Sequence, residues 1–407
     1  MKNIIVVGGG ASGMMAAVAA SSAGGRVTLL ERNEKLGKKI YITGKGRGNL
    51  TNDCEIEDFL DNVFENRSFA YSSIYALDQS SLLSLLAEGG LVTKTERGNR
   101  VFPASDKASD ITKALANLMH RGRVDVQLNT RVSEIVSECG RVTGVRDSSG
   151  KNWEADSVIL CCGGRSYPST GSDGSGYDLA RQAGHTVKQT YPALCGFVTS
   201  QSWPGELAGL SLKNVSVTLW QRGKKVRSEF GEMLFTHRGV SGPVILTLSC
   251  LVDMNEEPYI TLDLKPALDE ATLDRRILRD FSEMHLKDFS NSLVKLFPAS
   301  LASKVASLSG IPPEKKVNQV SSSERKALVE LIKNIRIDIS DLAGYSEAII
   351  TRGGVDVREV DPSTLGSRKL GGLYLAGEML ALHGFTGGFN LQLAFSTGYL
   401  AGISASN

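Results

Sequence analysis

NIIVVGGGASGMMAAVAASSAGGRVTLLE, residues 3–31, decides the fold. Ile4 to Val7 form a short β-branched run bounded by glycine, which predicts a buried parallel strand. Gly8, Gly10 and Gly13 fit G-x-G-x-x-G, and small, helix-compatible residues follow. Arg26 to Leu30 form a second strand that Glu31 ends. Each part has a physical task. Gly8 permits the tight turn, and Gly10 lets backbone approach a pyrophosphate. Gly13 lets the helix pack on the strand, while Ala11 and Ser12 open a helix whose N-terminus faces phosphate. Glu31 has the position expected of an acid that grips a ribose hydroxyl. At this point NAD and FAD both remain open.

The next glycine-rich segment is ITGKGRGNLTN, residues 42–52. Glycine is entropically costly, so a loop that repeats it needs bare backbone. Thr43, Gly44, Gly46 and Gly48 are expected to wrap a cofactor, with Lys45 and Arg47 offsetting its phosphate charge. Asn49, Thr51 and Asn52 carry short polar side chains suited to a flavin edge or ribityl chain. A solvated basic loop is the bland alternative. Arg32 and Lys39 are further expected cofactor contacts; counted with Lys35 and Lys38 they also make an RNA-binding patch a further alternative, although charge runs alone are unspecific.

The chain has 407 residues, enough for two or three domains with sizeable cores. Its net charge of +2 gives no argument for nucleic acid. Six cysteines without a C-x-x-C pair argue against a disulfide framework or a metal site and for a cytoplasmic protein. The N-terminal apolar run resembles a signal peptide, but GGGASG breaks it. No apolar run of about 18 residues predicts a membrane helix.

Residues 131–160 read as a β-meander feeding the apolar strand SVILCC, which empties into Cys162, Gly163 and Gly164. GGLYLAGE, residues 371–378, is a second such strand, ending at Gly377 and Glu378. A helix then begins near Gly388, Phe389, Asn390 and Leu391, again offering free N–H groups. Between these blocks, VSVTLW and YITLDL predict a β-rich insertion over 191–267. Residues 268–344 read as a helical subdomain, with a capping box at Ser321 and Glu324.

Taken together, the chain resembles the BaiN/YhiN-like NAD(P)/FAD-dependent oxidoreductases. The resemblance rests on GGGASG (8–13), ITGKGRGNLTN (42–52), RVFPASDKASDI (100–111), CCGGRSYPSTGSDGSG (161–176), GEMLFTHRGVSGP (231–243), TRGGV (351–355), GLYLAGEML (372–380) and GFTGGFNLQLAFSTGYLAG (384–402). It implies an α/β fold: a Rossmann-like FAD-binding domain of the glutathione-reductase and fumarate-reductase type, formed by 1–190 and 345–407, with both insertions between. It implies FAD as cofactor, NAD(P)H as transient co-substrate and a small organic substrate, such as an enone or steroid-like alkene. An amine oxidase, or an RNA-associated protein with a structural FAD, are the alternatives. Nucleic acid and membrane are not expected partners, and oligomeric state is unreadable. Two positions depart from the family's pattern: Gly48 replaces its usual Cys, and Ala381 its usual Asp.

Catalytic side chains are the thinnest part of the sequence reading. His383 lies between two flavin-facing segments and is a candidate proton donor or acceptor. Arg352 and Arg100 are candidates to hold a carbonyl or carboxylate oxygen. Tyr167 and His237 are weaker candidates. One dinucleotide fingerprint is present, so NAD(P)H has no Rossmann domain of its own.

Overall fold

A computed structural model describes residues 1–407. Two compact units emerge, residues 1–193 with 344–407, and residues 194–343.

The first unit is built on a five-stranded parallel sheet, in the order Leu373–Leu375, Ser157–Leu160, Asn3–Val7, Arg26–Leu30, Asp125–Gln127. Its central strand is apolar on both faces, as a parallel strand covered on both sides requires. Ile4, Ile5, Val6 and Val7 are all buried. Val7 is in register with both Leu30 and Leu160, so Gly8, Glu31 and Cys161 leave the sheet along one edge. That carboxyl edge is where open α/β sheets bind ligands.

Two helices cover the sheet's core, Ala11–Ser22 and Phe389–Ser406. Both are almost wholly apolar or small, and they cross closely. A Cβ on Gly398 would stand 2.2 Å from the Ser12 carbonyl oxygen, and one on Gly402 would stand 2.4 Å from that of Ala16. The meander forms a separate antiparallel sheet of Val132–Glu138, Arg141–Asp147 and Asn152–Glu154.

The second unit is a closed barrel ordered Phe197–Thr199, Gly239–Ser241, Lys224–Thr236, Ser211–Gln221, Tyr259–Asp263, Ile335–Leu342. Its last strand pairs with both Tyr259–Asp263 and Phe197–Thr199 and so closes the ring. The helices Glu270–Glu283, Ala299–Leu308 and Ser322–Lys333 lie in the chain between two barrel strands, within the same compact unit. The expected border between 267 and 268 therefore does not separate two units. The capping box is present: Ser321 Oγ accepts from Glu324 N at 3.2 Å, and Ser321 N donates to Glu324 Oε2 at 2.7 Å. No helix is long and apolar enough to cross a membrane.

Candidate cofactor site

The glycine loop at the sheet edge is held by contacts that no side chain would permit. Gly8 has φ +102, and a Cβ there would stand 2.5 Å from the Cys161 carbonyl oxygen. A Cβ on Gly13 would fall 1.8 Å from the Gly8 carbonyl oxygen. Gly10 differs: nothing lies within 4 Å of where its Cβ would be. It is the N-cap of the first helix and supplies no side-chain cap, so that helix start faces open space. Glu31 is buried beside it. Its Oε2 accepts from Gly9 N at 2.5 Å, and its Oε1 accepts from Asn33 N at 2.8 Å and Asn33 Nδ2 at 2.7 Å. The carboxylate thus fixes the glycine loop to the strand end.

The second loop is kinked through left-handed backbone at Gly44, Lys45, Gly46 and Gly48. Thr43 Oγ1 donates to the Ile40 carbonyl at 2.7 Å. Asn49 Oδ1 and Thr51 Oγ1 are buried and have no hydrogen-bond partner in the chain. Asn52 Nδ2 donates to Gly98 O at 3.0 Å and Gly387 O at 3.2 Å. Gly388, with φ +106, presses on this loop: a Cβ there would stand 2.3 Å from the Thr51 carbonyl oxygen. Gly388 is the N-cap of Phe389–Ser406 and again lacks a side-chain cap. The Asn390 side chain closes its own turn, accepting from Gly384 N and donating to Gly384 O, both at 2.8 Å. Phe389 packs edge-on against Phe59 at 5.0 Å, and Leu391 is half-buried in the same first turn. What this helix start offers a ligand is therefore main chain.

The cations are arranged differently from the sequence expectation. The Arg47 guanidinium bonds Asp106 at 2.6 Å and also Glu96, and it lies over the Phe102 ring. These carboxylates raise its pKa further, and through them it braces the loop. Arg32 bonds Asp173 at 2.6 Å. Lys39 Nζ bonds Glu378 Oε2 and Ser166 Oγ, each at 2.6 Å. Glu378 Oε1 accepts from Ser166 Oγ at 2.7 Å and Thr351 N at 2.9 Å, so one carboxylate joins four segments. Sequence reasoning missed Ser166 and Thr351. Their partners are far away in the chain, and only the strand ends nearby hinted at them.

Gly163 and Gly164 follow the strand Ser157–Leu160, and a Cβ on Gly164 would stand 2.4 Å from Thr351 Oγ1. Gly377, with φ +78, abuts Ser12 Oγ. Burial pushes the Cys162 thiol up to about 12, so it stays protonated. Gly48 also needs to be glycine. Its φ is +74, and a Cβ there would stand 2.7 Å from Ile111 Cδ1 and 2.9 Å from Ala108 Cα. Ala381 is buried; its carbonyl accepts from Asn66 Nδ2 at 2.5 Å.

His383 is buried, and neither ring nitrogen has a hydrogen-bond partner. Each such group costs about 1–3 kcal/mol. Its Nδ1 stands 3.5 Å from Glu65 Oε2. Burial, and secondarily Arg352, pull its pKa down to about 4, against Glu378, so the imidazole is neutral at pH 7. Arg352 lies over the Tyr191 ring at 4.9 Å. Arg100 is exposed and its Nε donates to the Arg97 carbonyl at 3.1 Å; it holds its own turn and does not join His383 and Arg352. His237 belongs to the other unit, and Tyr167 is a left-handed turn residue whose N–H donates to Tyr345 O at 2.8 Å.

Comparison with known proteins places this geometry in context. Residues 2–404 match the family model described as HI0933-like protein Rossmann domain. The chain is 34% identical over 387 residues to a 3-dehydro-bile acid delta(4,6)-reductase of Clostridium scindens, covering 94% of this chain and 93% of that one. It is 30% identical over 381 residues to a ribosomal RNA dihydrouridine synthase of Escherichia coli, covering 92% and 91%. Among solved structures, 3-ketosteroid-delta4-(5alpha)-dehydrogenase from Rhodococcus jostii RHA1 superimposes with a TM-score of 0.51 at 16% identity, over 100% of this chain and 97% of that one. A quinol-fumarate reductase superimposes with a TM-score of 0.53 at 15% identity, over 100% and 70%. These two structures speak to fold. With a family match over nearly its whole length and a reductase relative above 30% identity, the chain belongs to the HI0933-like Rossmann family of flavoprotein oxidoreductases.

Proposed function

We propose that the chain is an FAD-dependent reductase of carbon–carbon double bonds conjugated to a carbonyl in a small organic substrate, with NAD(P)H as electron donor. The observation that carries this reading is open main chain at the sheet's carboxyl edge together with unsatisfied polar atoms beside a second uncapped helix start. The open space at Gly10 lies before one uncapped helix start, and Asn49 Oδ1 and Thr51 Oγ1 are buried without partners beside the other. Unpaired buried polar groups are costly unless a ligand completes them, so these residues fit a dinucleotide with a polar ring system.

Gly8, Gly10 and Gly13, with the N–H groups of Ala11 and Ser12, would hold the pyrophosphate. Glu31 would accept from a ribose hydroxyl. Thr43, Gly44, Gly46, Gly48, Asn49, Thr51 and Asn52 would line the flavin side, with Arg47 acting as a brace. Gly163, Gly164, Gly377 and Glu378, through Lys39, would fix the walls. Main-chain N–H groups from Gly388 to Leu391 would stabilise negative charge on the ring. Bound FAD supplies hydride transfer, which no side chain can perform. The chain's residues bind, orient and exclude water.

Support for the substrate class comes from the relative at 34% identity, which is named as a reductase of a bile acid, a steroid-like ketone. The Escherichia coli relative suggests a second substrate, uracil in ribosomal RNA, whose ring double bond also lies beside a carbonyl. Anaerobic NADH and NADPH are the test. One of them should bleach the flavin, and a conjugated ketone should restore its colour. Restoration by RNA and not by the ketone would favour the second substrate; a flavin that neither nucleotide reduces would overturn NAD(P)H as donor.

A further inference from the structure

His383 sits beneath a cover. Phe64 is 37% exposed, although it is a large apolar side chain. Its ring lies 5.5 Å from the His383 ring and 5.7 Å from Phe385. Below it the imidazole is sealed from solvent with both nitrogens unpaired. Backbone pairing of His383 with Glu65 holds the carboxyl beside Nδ1. Gly384, the next residue, is tied to Asn390 in the first turn of Phe389–Ser406, so the imidazole adjoins the helix start assigned above to the flavin.

We propose that His383, covered by Phe64, receives the carbonyl oxygen of a flat apolar ketone, and that Glu65 resupplies its proton. This rests on the reductase reading above. With the ketone bound, a Glu65 O–H that closes the 3.5 Å gap to Nδ1 would donate to it, which leaves Nε2–H to donate to the ketone oxygen. Bound FAD, reduced by NAD(P)H, would supply the hydride and its two electrons to the β-carbon. The π pair moves toward the carbonyl, and its oxygen takes the Nε2 proton. Nδ1 then takes the Glu65 proton. The enol O–H then returns its proton to Nε2 as Nδ1 returns its own to Glu65, and a solvent proton adds at the α-carbon, which gives the ketone and restores both side chains.

The surroundings are consistent with these roles. Burial raises the Glu65 pKa, opposed by Lys188 and Arg352 and assisted by Asp356. A neutral imidazole is the better partner for a ketone, because its hydrogen bond does not require burying a charge. Aromatic faces at Phe64 and Phe385 favour a flat apolar skeleton over a charged metabolite.

The test uses the FAD-loaded protein and 4-androstene-3,17-dione as probe. Infrared difference spectroscopy of the bound probe should find its conjugated carbonyl stretch moved to lower wavenumber. His383→Phe should abolish that shift and weaken the probe's Kd about tenfold or more, as expected when a buried hydrogen bond is lost. Phe64→Ala should speed probe association. If His383→Phe fails to hold FAD, Glu65→Gln serves instead: the carbonyl shift should persist, while the pH profile of kcat loses an ionisation. A probe that binds the wild type without a carbonyl shift, or a Glu65→Gln profile matching the wild type, would overturn this inference and leave the reductase reading standing. Failure of the wild type to bind or reduce the probe would overturn both the substrate class and this inference.

Discussion

Glu31 accepts three hydrogen bonds from the glycine loop and Asn33, and the proposed ribose contact would add a fourth. Glu31→Gln swaps one acceptor oxygen for a donor facing other donors. We expect FAD affinity to fall by roughly tenfold to a hundredfold, since hydrogen bonds to charged groups are worth about 1.5–3 kcal/mol; equilibrium dialysis reads this. Gly48→Cys tests the departure at that position. Left-handed backbone and the contact with Ile111 and Ala108 should lower stability by about 1–3 kcal/mol. A thermal melt with unchanged Tm would contradict that account. The turn at Gly8, the close packing at Gly13 and the place of Glu31 at the strand end were legible because they are local and fixed by spacing. The role of Arg47 was not, because Glu96 and Asp106 reach it from distant segments. Nor could composition tell that His383 would be buried without a partner.

At the scale of elements, the packing of the first helix on the last carries the cofactor fold. Gly398 and Gly402 let Phe389–Ser406 meet Ala11–Ser22 backbone to side. Gly398→Leu must push these helices apart, and the purified protein should lose both cofactor and solubility. A soluble variant with full FAD content would refute this. Acid sensitivity has an identifiable source in the same unit. The Asp356 carboxylate is nearly buried, and Arg358 holds its pKa down to about 2. Because the folded value is depressed, its stabilisation is present above the ordinary carboxylate pKa of about 4. It is lost as pH falls from there through about 2. Asp356→Asn should flatten unfolding between those limits, as followed by circular dichroism. In the other unit, Ser321→Ala should lower stability by about 1 kcal/mol through loss of the cap. Strands and caps were readable from period and spacing. The return of Ile335–Leu342 to close the barrel was not, since it pairs with Tyr259–Asp263 across three α-helices and with Phe197–Thr199 across most of the unit.

For the whole molecule, the proposed function is that a discontinuous Rossmann unit binds FAD at its sheet edge and uses it to reduce a conjugated double bond. The sheet's order, the open space at Gly10 and the uncapped start of Ala11–Ser22 meet at that edge, and a second uncapped helix start abuts Thr51. The family match spans both units in one chain, so the barrel is part of the same inherited whole. The most direct measurement is the visible absorption spectrum of the purified protein, with the released cofactor identified by chromatography. The account predicts a yellow protein that releases FAD in a ratio near one per chain. A colourless protein that also fails to take up added FAD would contradict it.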